Sequence, residues 1–474
     1  MAVRLRRRGW PKLQDPPASR HVCGSHPALR ANLVKRLSQS RGTFCPKKEM
    51  SANPNFRTRQ PADAHGQDAS PSSSPEKAPE RLFGIPLNTD DIPRSELDIA
   101  FQTRVNPLPW KGQFSPQLVE VLLREYAASD SRVLDPFVGS GTVLGECVRR
   151  RLSASGAEVN PAAAILSRLY EWANRGRGDR QAACDAAFRA VEKHLAVFIP
   201  SQLPDPVDIR PQDVANLAKT HPARGVGQIL AAALVLADPT WSAVRPQRLA
   251  DSLRRVRDVL INLPESPHTI SAFESDARQI PLENGSIDLV LTSPPYINVF
   301  NYHQQYRSAV EALGCDVLGA ARSEIGSNRK HRMNRFLTVV QYCLDMTAVL
   351  EEMKRLLRSS GRMIFVVGRE SRVRGMSIYN GDLLGSIAGE AAGLTVTMRQ
   401  ERAFTNRFGE RIVEDILHFR TDATHQSAFR SPAEIAAATL ERLVDRAAGE
   451  VRQDIVAAIE AAGTVRQSPL YSAS

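Results

Sequence analysis

Two short runs hold residue types at spacings that could do chemistry. The first, Asp135-Pro-Phe137-Val-Gly139-Ser-Gly141-Thr142, closes the apolar run 132-RVLD-135 and leads into 142-TVLGECVRRR-151. Glycines at the carboxyl end of a strand let the backbone approach a ligand closely and turn into a helix, although G-x-G alone also serves a plain tight turn. Glu158 follows 23 residues after Asp135, at the end of the next apolar run, where a carboxylate can accept both hydroxyl hydrogens of a ribose. A third glycine is missing, as is Gly-Lys-Ser/Thr, so neither a dinucleotide nor a P-loop phosphate cradle fits. A nucleoside without a pyrophosphate fits better. The second run, Thr292-Ser293-Pro294-Pro295-Tyr296, follows 287-IDLVLT-292. Two prolines remove two backbone donors and stiffen the turn, leaving carbonyl oxygens unpaired. A rigid carbonyl beside a short hydroxyl suits an amino group, and the neighbouring tyrosine can stack on a planar ring or simply pack in the core.

These runs need a scaffold. Ser115-Pro116 followed by Leu118, Val119, Leu122, Leu123 and Tyr126 reads as a helix with a Ser N-cap and Pro at its first position. Strand 132–135, Gly turn, helix 142–151, strand 155–159, then Asn160-Pro161 and a further helix make a βαβ unit, which implies a parallel sheet. Helical stretches occupy 173–267, and strands resume at 269–275 and 287–292. A long helix at about 333–358 precedes a buried-type strand, 362-RMIFVVG-368, and a helix at 381–392 precedes 394–400 and 411–419, close enough in sequence to pair antiparallel. The expectation is an α/β fold with a seven-stranded, mostly parallel, doubly wound sheet. Its catalytic domain would span 82–172 and 268–420, split by a helical insertion at 173–267 and followed by a helical tail at 425–474. The pattern Ser431-Pro-Ala-Glu434 is a capping box at the start of that tail.

Composition bounds the rest. The chain of 474 residues carries 62 Lys+Arg against 51 Asp+Glu, a net charge of +11. Residues 1–60 hold 14 of those cations and two acids, leaving 48 against 49 for the body. A basic total therefore says little about the folded part. Residues 1–80, rich in Pro and Ser, read as a disordered tail. Arg and Ser without acids also mark transit peptides, and Met50 offers an alternative start that would leave residues 1–49 out of the native protein. The longest apolar stretch, 229-ILAAALVLA-237, falls short of the roughly 18 residues a bilayer span needs, so no membrane partner is expected. Six scattered cysteines without a C-x-x-C pair fit a reducing cytoplasm, and Cys23, Cys45, His21 and His26 lack zinc spacing, so no metal is expected.

Taken together, DPFVGSGT and SPPY resemble the donor and catalytic loops of the S-adenosylmethionine-dependent amino-methyltransferases that act on exocyclic amines of DNA bases. Ser in the first position of the second motif is the form typical of cytosine-N4 enzymes. The resemblance covers roughly 105–170 and 268–420 and implies a class I methyltransferase-like fold with S-adenosylmethionine as cofactor. By that resemblance Asp135, Phe137, Gly139, Gly141 and Thr142 would line the methionine end of the donor, Glu158 would hold the ribose, and Asp276 would meet the adenine amine. Trp110 and Lys111, in 106-NPLPWKGQFSP-116, would lie near the methionine carboxylate, with Trp110 equally able to anchor that loop. Ser293 and Pro294 would orient the target amine, Pro295 would stiffen the loop, and Tyr296 would stack on a base flipped from the helix. In most Ser-Pro-Pro-Tyr members the catalytic loop comes first; the reverse order here looks like a circular permutation. The insertion at 173–267 is also atypical.

The implied partner is double-stranded DNA, with a cognate restriction endonuclease as a further partner that this family allows. Basic residues for DNA contact are sought on loops at the carboxyl ends of strands. Two stretches qualify: Arg329, Lys330, Arg332 and Arg335 after the catalytic loop, and Arg369, Arg372 and Arg374 after 362–368. His303 reads as helix surface or packing. Other readings are an adenine-N6 DNA methyltransferase, an RNA guanine-N2 methyltransferase, and a non-catalytic DNA-binding descendant. Attack on cytosine carbon 5 is disfavoured, because that chemistry needs a nucleophilic Cys, usually after Pro, and no Pro-Cys occurs.

Overall fold

The computed structural model describes residues 84–99, 103–195, 208–221, 223, 225–297, 302–327, 331–406, 409–421 and 429–472. The reading of residues 1–80, together with Arg329 and Lys330, falls outside them. Seven strands form the central sheet: β1 (Arg132–Asp135), β2 (Ser153–Glu158), β3 (Ile270–Glu274), β4 (Ile287–Thr292), β5 (Leu357–Gly368), and, after a small separate hairpin of β6 (Glu370–Val373) and β7 (Met376–Tyr379), β8 (Leu394–Thr405) and β9 (Arg411–Thr421). Their order is β3-β2-β1-β4-β5-β9-β8. The pairings from β3 through β5 are parallel, while β9 runs antiparallel to both β5 and β8. This is the doubly wound, class I methyltransferase-like sheet expected from the sequence.

The order fixes where a ligand can sit. The chain leaves β1 toward β2 and β3 on one side, then returns beside β1 as β4 and continues to β5 on the other. Outside the carboxyl ends of β1 and β4 the connecting segments diverge, and that crevice is the usual binding place in open α/β sheets. Val133 and Leu134 of β1 register with Leu289 and Val290 of β4, so the two motif loops emerge side by side. Their order along the chain does not affect that meeting.

Both sheet faces are covered, which is why the central strands β1, β4 and the end of β5 read as apolar runs. Val133, Leu289 and Leu291 face one buried cluster, and Leu134, Ile287 and Val290 face the other. Helix Leu337–Leu356 lies in the second cluster, with fourteen of its side chains buried. Among its described residues the insertion forms four helices, Arg177–Leu195, Pro211–Thr220, Val226–Ala237 and Pro246–Asn262, of which the second is not expected from the sequence. Ile229, Leu230, Leu234 and Leu253 are buried in the first cluster, so the insertion supports the sheet. Buried Arg180 ties it together, donating from Nε to the Arg175 carbonyl (2.7 Å) and from Nη1 to the Leu260 carbonyl (2.9 Å). The capping box at Ser431 and Glu434 is present in both directions.

One loop reading is corrected. Residues 369–375 belong to the β6–β7 hairpin, in which Val373 pairs with Met376 across Arg374 (φ +48°) and Gly375 (φ +84°). Two consecutive left-handed residues match the twist of the flanking strands, which favours this tight turn.

Candidate active site

The donor-type loop is built around one carboxylate. Asp135, 3% exposed at the end of β1, accepts from the Phe137 backbone N–H (3.0 Å) and the Thr292 hydroxyl (2.6 Å) on the same oxygen, Oδ1. Thr292 ends β4, so this bond joins the two motif strands. Burial pushes the Asp135 carboxyl up to about 7, against the pull of those two donors. Glu158 accepts from the Asn160 N–H at Oε1 (2.9 Å) and from the Gly139 N–H at Oε2 (3.0 Å). It too is raised to about 7, first by burial and then by the charges of Asp135 and Glu324, against the pull of its two backbone donors. Gly139 (φ +52°) and Gly141 (φ +94°) are both left-handed, and a Cβ on Gly141 would stand 2.6 Å from the Tyr170 ring.

Segment 106–114 is clamped over this loop. The Ser140 hydroxyl donates to the Leu108 carbonyl (3.0 Å) and accepts from Gln113 Nε2 (2.8 Å), while Asn106 Nδ2 donates to Thr142 Oγ1 (2.7 Å). Trp110 lies against Gly139 and nearly parallel to Tyr302, with centroids 6.5 Å apart and planes at 11°. Lys111 is exposed at the rim.

These residues line a cleft, open at its mouth, whose walls include Trp110, Lys111, Asp135, Phe137, Gly139, Thr142, Glu158, Asp276 and Pro295. All but one of the residues expected to hold the donor are therefore brought to one space; Gly141 stands just behind it as the cap of helix Thr142–Arg150. A second, open cavity adjoins the first and is lined by Pro294 and Tyr296. Gly112, Gln113, Phe114, Ser293 and Tyr302 line both. Ser293 Oγ stands 3.4 Å from the Tyr296 hydroxyl, whose own pKa burial drives far up.

Several wall residues escape the sequence reading. Arg402 and Glu414 face each other across β8 and β9, with Arg402 Nε donating to Glu414 Oε2 (2.6 Å) and its guanidinium 4.6 Å above the Phe404 ring. With Asn406 they line the second cavity, and the i, i+2 spacing of 402, 404 and 406 on one strand face was the available signal. Glu324 lines the first cavity and accepts from the His303 N–H (2.6 Å) and bonds its Nδ1 (2.8 Å), both residues being buried. His303 is thus a core partner of the cleft wall rather than helix surface.

The expected DNA contacts separate. Arg369, partly buried, donates to Asp415 (2.8 Å) and to Glu401, while Arg374 stays exposed on the hairpin turn and pairs with Asp454 and with Glu450 (3.8 Å). Arg372 is exposed and bonds Glu370 (3.1 Å). Arg332 is exposed and Arg335 half-buried. Among the described residues no group of three or more His, Cys, Asp or Glu is placed to hold a metal ion, and no helix is long and apolar enough to cross a membrane.

No family model matches the chain. A 61-residue stretch is 34% identical to the type II methyltransferase M.MjaII of Methanocaldococcus jannaschii, a match spanning 13% of this chain and 12% of that protein. Among solved structures, an S-adenosylmethionine-dependent methyltransferase of Methanosarcina mazei aligns over 63% of this chain and 96% of its own, at 10% identity and a TM-score of 0.30. Another from Aquifex aeolicus covers 65% of this chain and 99% of its own, at 12% identity and a TM-score of 0.26.

Proposed function

We propose that the chain transfers a methyl group from S-adenosylmethionine to the exocyclic N4 amine of cytosine in double-stranded DNA. The observation that carries this reading is the position of Ser293, on the wall common to two cavities. The first cavity suits the donor. It holds buried carboxylates whose protonation burial favours, and a ligand bearing an ammonium and a sulfonium would offset that cost. The nucleoside fits through Glu158, each of whose oxygens carries one backbone N–H and keeps a lone pair for a ribose hydroxyl. The match to a type II methyltransferase supports DNA as the substrate class.

When bound, the donor supplies an electrophilic methyl group on a sulfonium sulfur. Ser293 Oγ and the Pro294 carbonyl accept the two hydrogens of the target amine. This turns its lone pair out of ring conjugation and toward the first cavity, a gain of orientation and electrostatics rather than of strong base. Tyr296 and Phe404 offer the base apolar surface in the second cavity, and the nitrogen's surplus proton leaves to water. Base flipping costs a few kcal/mol of stacking, which these contacts must offset.

The test is transfer of tritiated methyl from S-adenosylmethionine to unmethylated genomic DNA, RNA and protein, followed by nucleoside mass spectrometry. N4-methylcytosine is expected. Label on adenine would overturn the base assignment, label on RNA or protein alone the polymer, and no label on any of them the enzyme reading.

A further inference from the structure

Asp276, expected from the resemblance to meet an adenine amine, has no lone pair left for one. A carboxylate offers about four acceptor sites. Oδ1 takes the Arg278 backbone N–H (3.0 Å) and Nε (2.8 Å), while Oδ2 takes Arg278 Nη2 (2.6 Å) and the Tyr471 N–H (3.0 Å). Arg278 is equally full, its side chain 1% exposed. A guanidinium has five N–H donors. Nε and one from Nη2 go to Asp276, one from Nη1 to Asp345 Oδ1 (3.0 Å), and the remaining two to the carbonyls of Ser468 (2.7 Å) and Pro469 (2.9 Å).

Both of those last acceptors belong to a segment that follows the helical tail. Arg466 is held by Gln341 Nε2 on its carbonyl (3.0 Å). Ser468 donates its N–H to Asp345 Oδ1 (2.8 Å) and its hydroxyl to the same carboxylate. Tyr471 donates its hydroxyl to Glu274 of β3 (2.7 Å). The segment thus runs from helix Leu337–Leu356 to the edge strand β3, across the turn that carries Asp276. Asp276 and Ala277 line the first cavity, while Arg278, Asp345 and Ser468 are buried behind it.

We propose that Arg466–Tyr471 is a strap that fixes the Asp276 wall of the first cavity, making Asp276 a positioning residue rather than a ligand contact. With the strap in place every polar atom of the Asp276–Arg278 pair is bonded, so the turn has one arrangement. Without it two guanidinium N–H groups and one carboxylate site lose their partners, and the turn gains alternatives. A cleft wall with alternatives binds more weakly, because ordering it is charged to the ligand. This proposal rests on the reading of the first cavity as the donor site.

The test compares the full-length chain with one ending at Val465, by calorimetric titration with S-adenosylhomocysteine, by hydrogen exchange over residues 276–280, and by single-turnover methylation. Loss of the strap should weaken binding at least fivefold and speed exchange at 276–280, while the rate at saturating donor stays within twofold. Adding the peptide 466–474 should restore the affinity. Unchanged affinity and exchange overturn the strap, and so does a loss in which affinity, rate and melting temperature fall together. If the shortened chain does not fold, the Ser468→Ala/Tyr471→Phe variant, which removes the hydroxyl anchors of the strap to Asp345 and Glu274, should shift affinity and exchange in the same direction by a smaller amount, and no shift in either overturns the strap. If the full-length chain itself ignores S-adenosylhomocysteine, the donor reading falls, whereas the exchange arm still reads the strap without any ligand.

Discussion

Ser293, Asp135 and Glu158 carry different burdens, and substitution separates them. Ser293→Ala removes an acceptor for the target amine and no contact to the donor, so turnover should fall about 10²- to 10³-fold while the dissociation constant for S-adenosylhomocysteine stays within threefold. Unchanged turnover would remove Ser293 from the mechanism. Asp135 and Glu158 are raised to about 7 in the free protein, and a cationic donor is served by their ionised forms. Donor affinity should therefore rise with pH through about 7 and level off above it, with protons released on binding; a flat calorimetric profile between pH 5.5 and 8.5 would contradict this. The stability linkage has the opposite sense. A carboxyl whose folded pKa exceeds its unfolded value contributes stability below about 4 that is lost as pH rises through about 7. Asp135→Asn should then raise the melting temperature at pH 8 while weakening donor binding, measured by thermal denaturation and titration. The sequence declares these three residues because their motifs are contiguous. It could not declare Glu324 or Glu414, which reach the cavities from elements distant in the chain, nor the full complement of donors that removes Asp276 from ligand contact.

At the scale of elements, the loops are held by conformations that tolerate little change. Gly141→Ala would place a Cβ 2.6 Å from the Tyr170 ring at φ +94°. A strained left-handed backbone together with that clash should cost about 2 kcal/mol or more, visible as a lower denaturant midpoint. On the opposite wall, Glu414→Gln should raise the KM for DNA with little effect on donor affinity, because Arg402 loses its charged partner and only the second cavity changes. Equal shifts in both would argue that the β8–β9 hairpin is scaffold alone. Strands β1 and β4 and the end of β5 were legible because burial on both faces writes short apolar runs. The β6–β7 hairpin was not, although Arg374-Gly375 between ESRV and MSIY is a two-residue turn signal; the density of arginines drew attention to charge instead. Helix Pro211–Thr220 has only Pro211, Val214 and Ala215 buried, a period too faint to read.

The whole molecule divides its charge from its chemistry. Since residues 1–60 hold the whole positive excess, the salt dependence of DNA binding should be steep in the full chain and shallower by several units of log–log slope in a chain lacking them. The base methylated should not change. An equal slope in both chains would place the electrostatic contact on the body. The insertion shares an apolar cluster with β1 and β4, so removing it would expose that cluster to water. The wall that Gly112, Gln113, Phe114, Ser293 and Tyr302 give to both cavities has one more consequence. The chambers share these five lining residues, so a single covalent molecule could span them. An adenosine joined by a two- or three-atom tether to a cytosine ring would make its second contact at the high effective concentration that tethering gives, roughly millimolar for short flexible linkers. Such a bisubstrate inhibitor would be selective for this arrangement, since an enzyme with the same donor loop and a different acceptor chamber would accept only half of it.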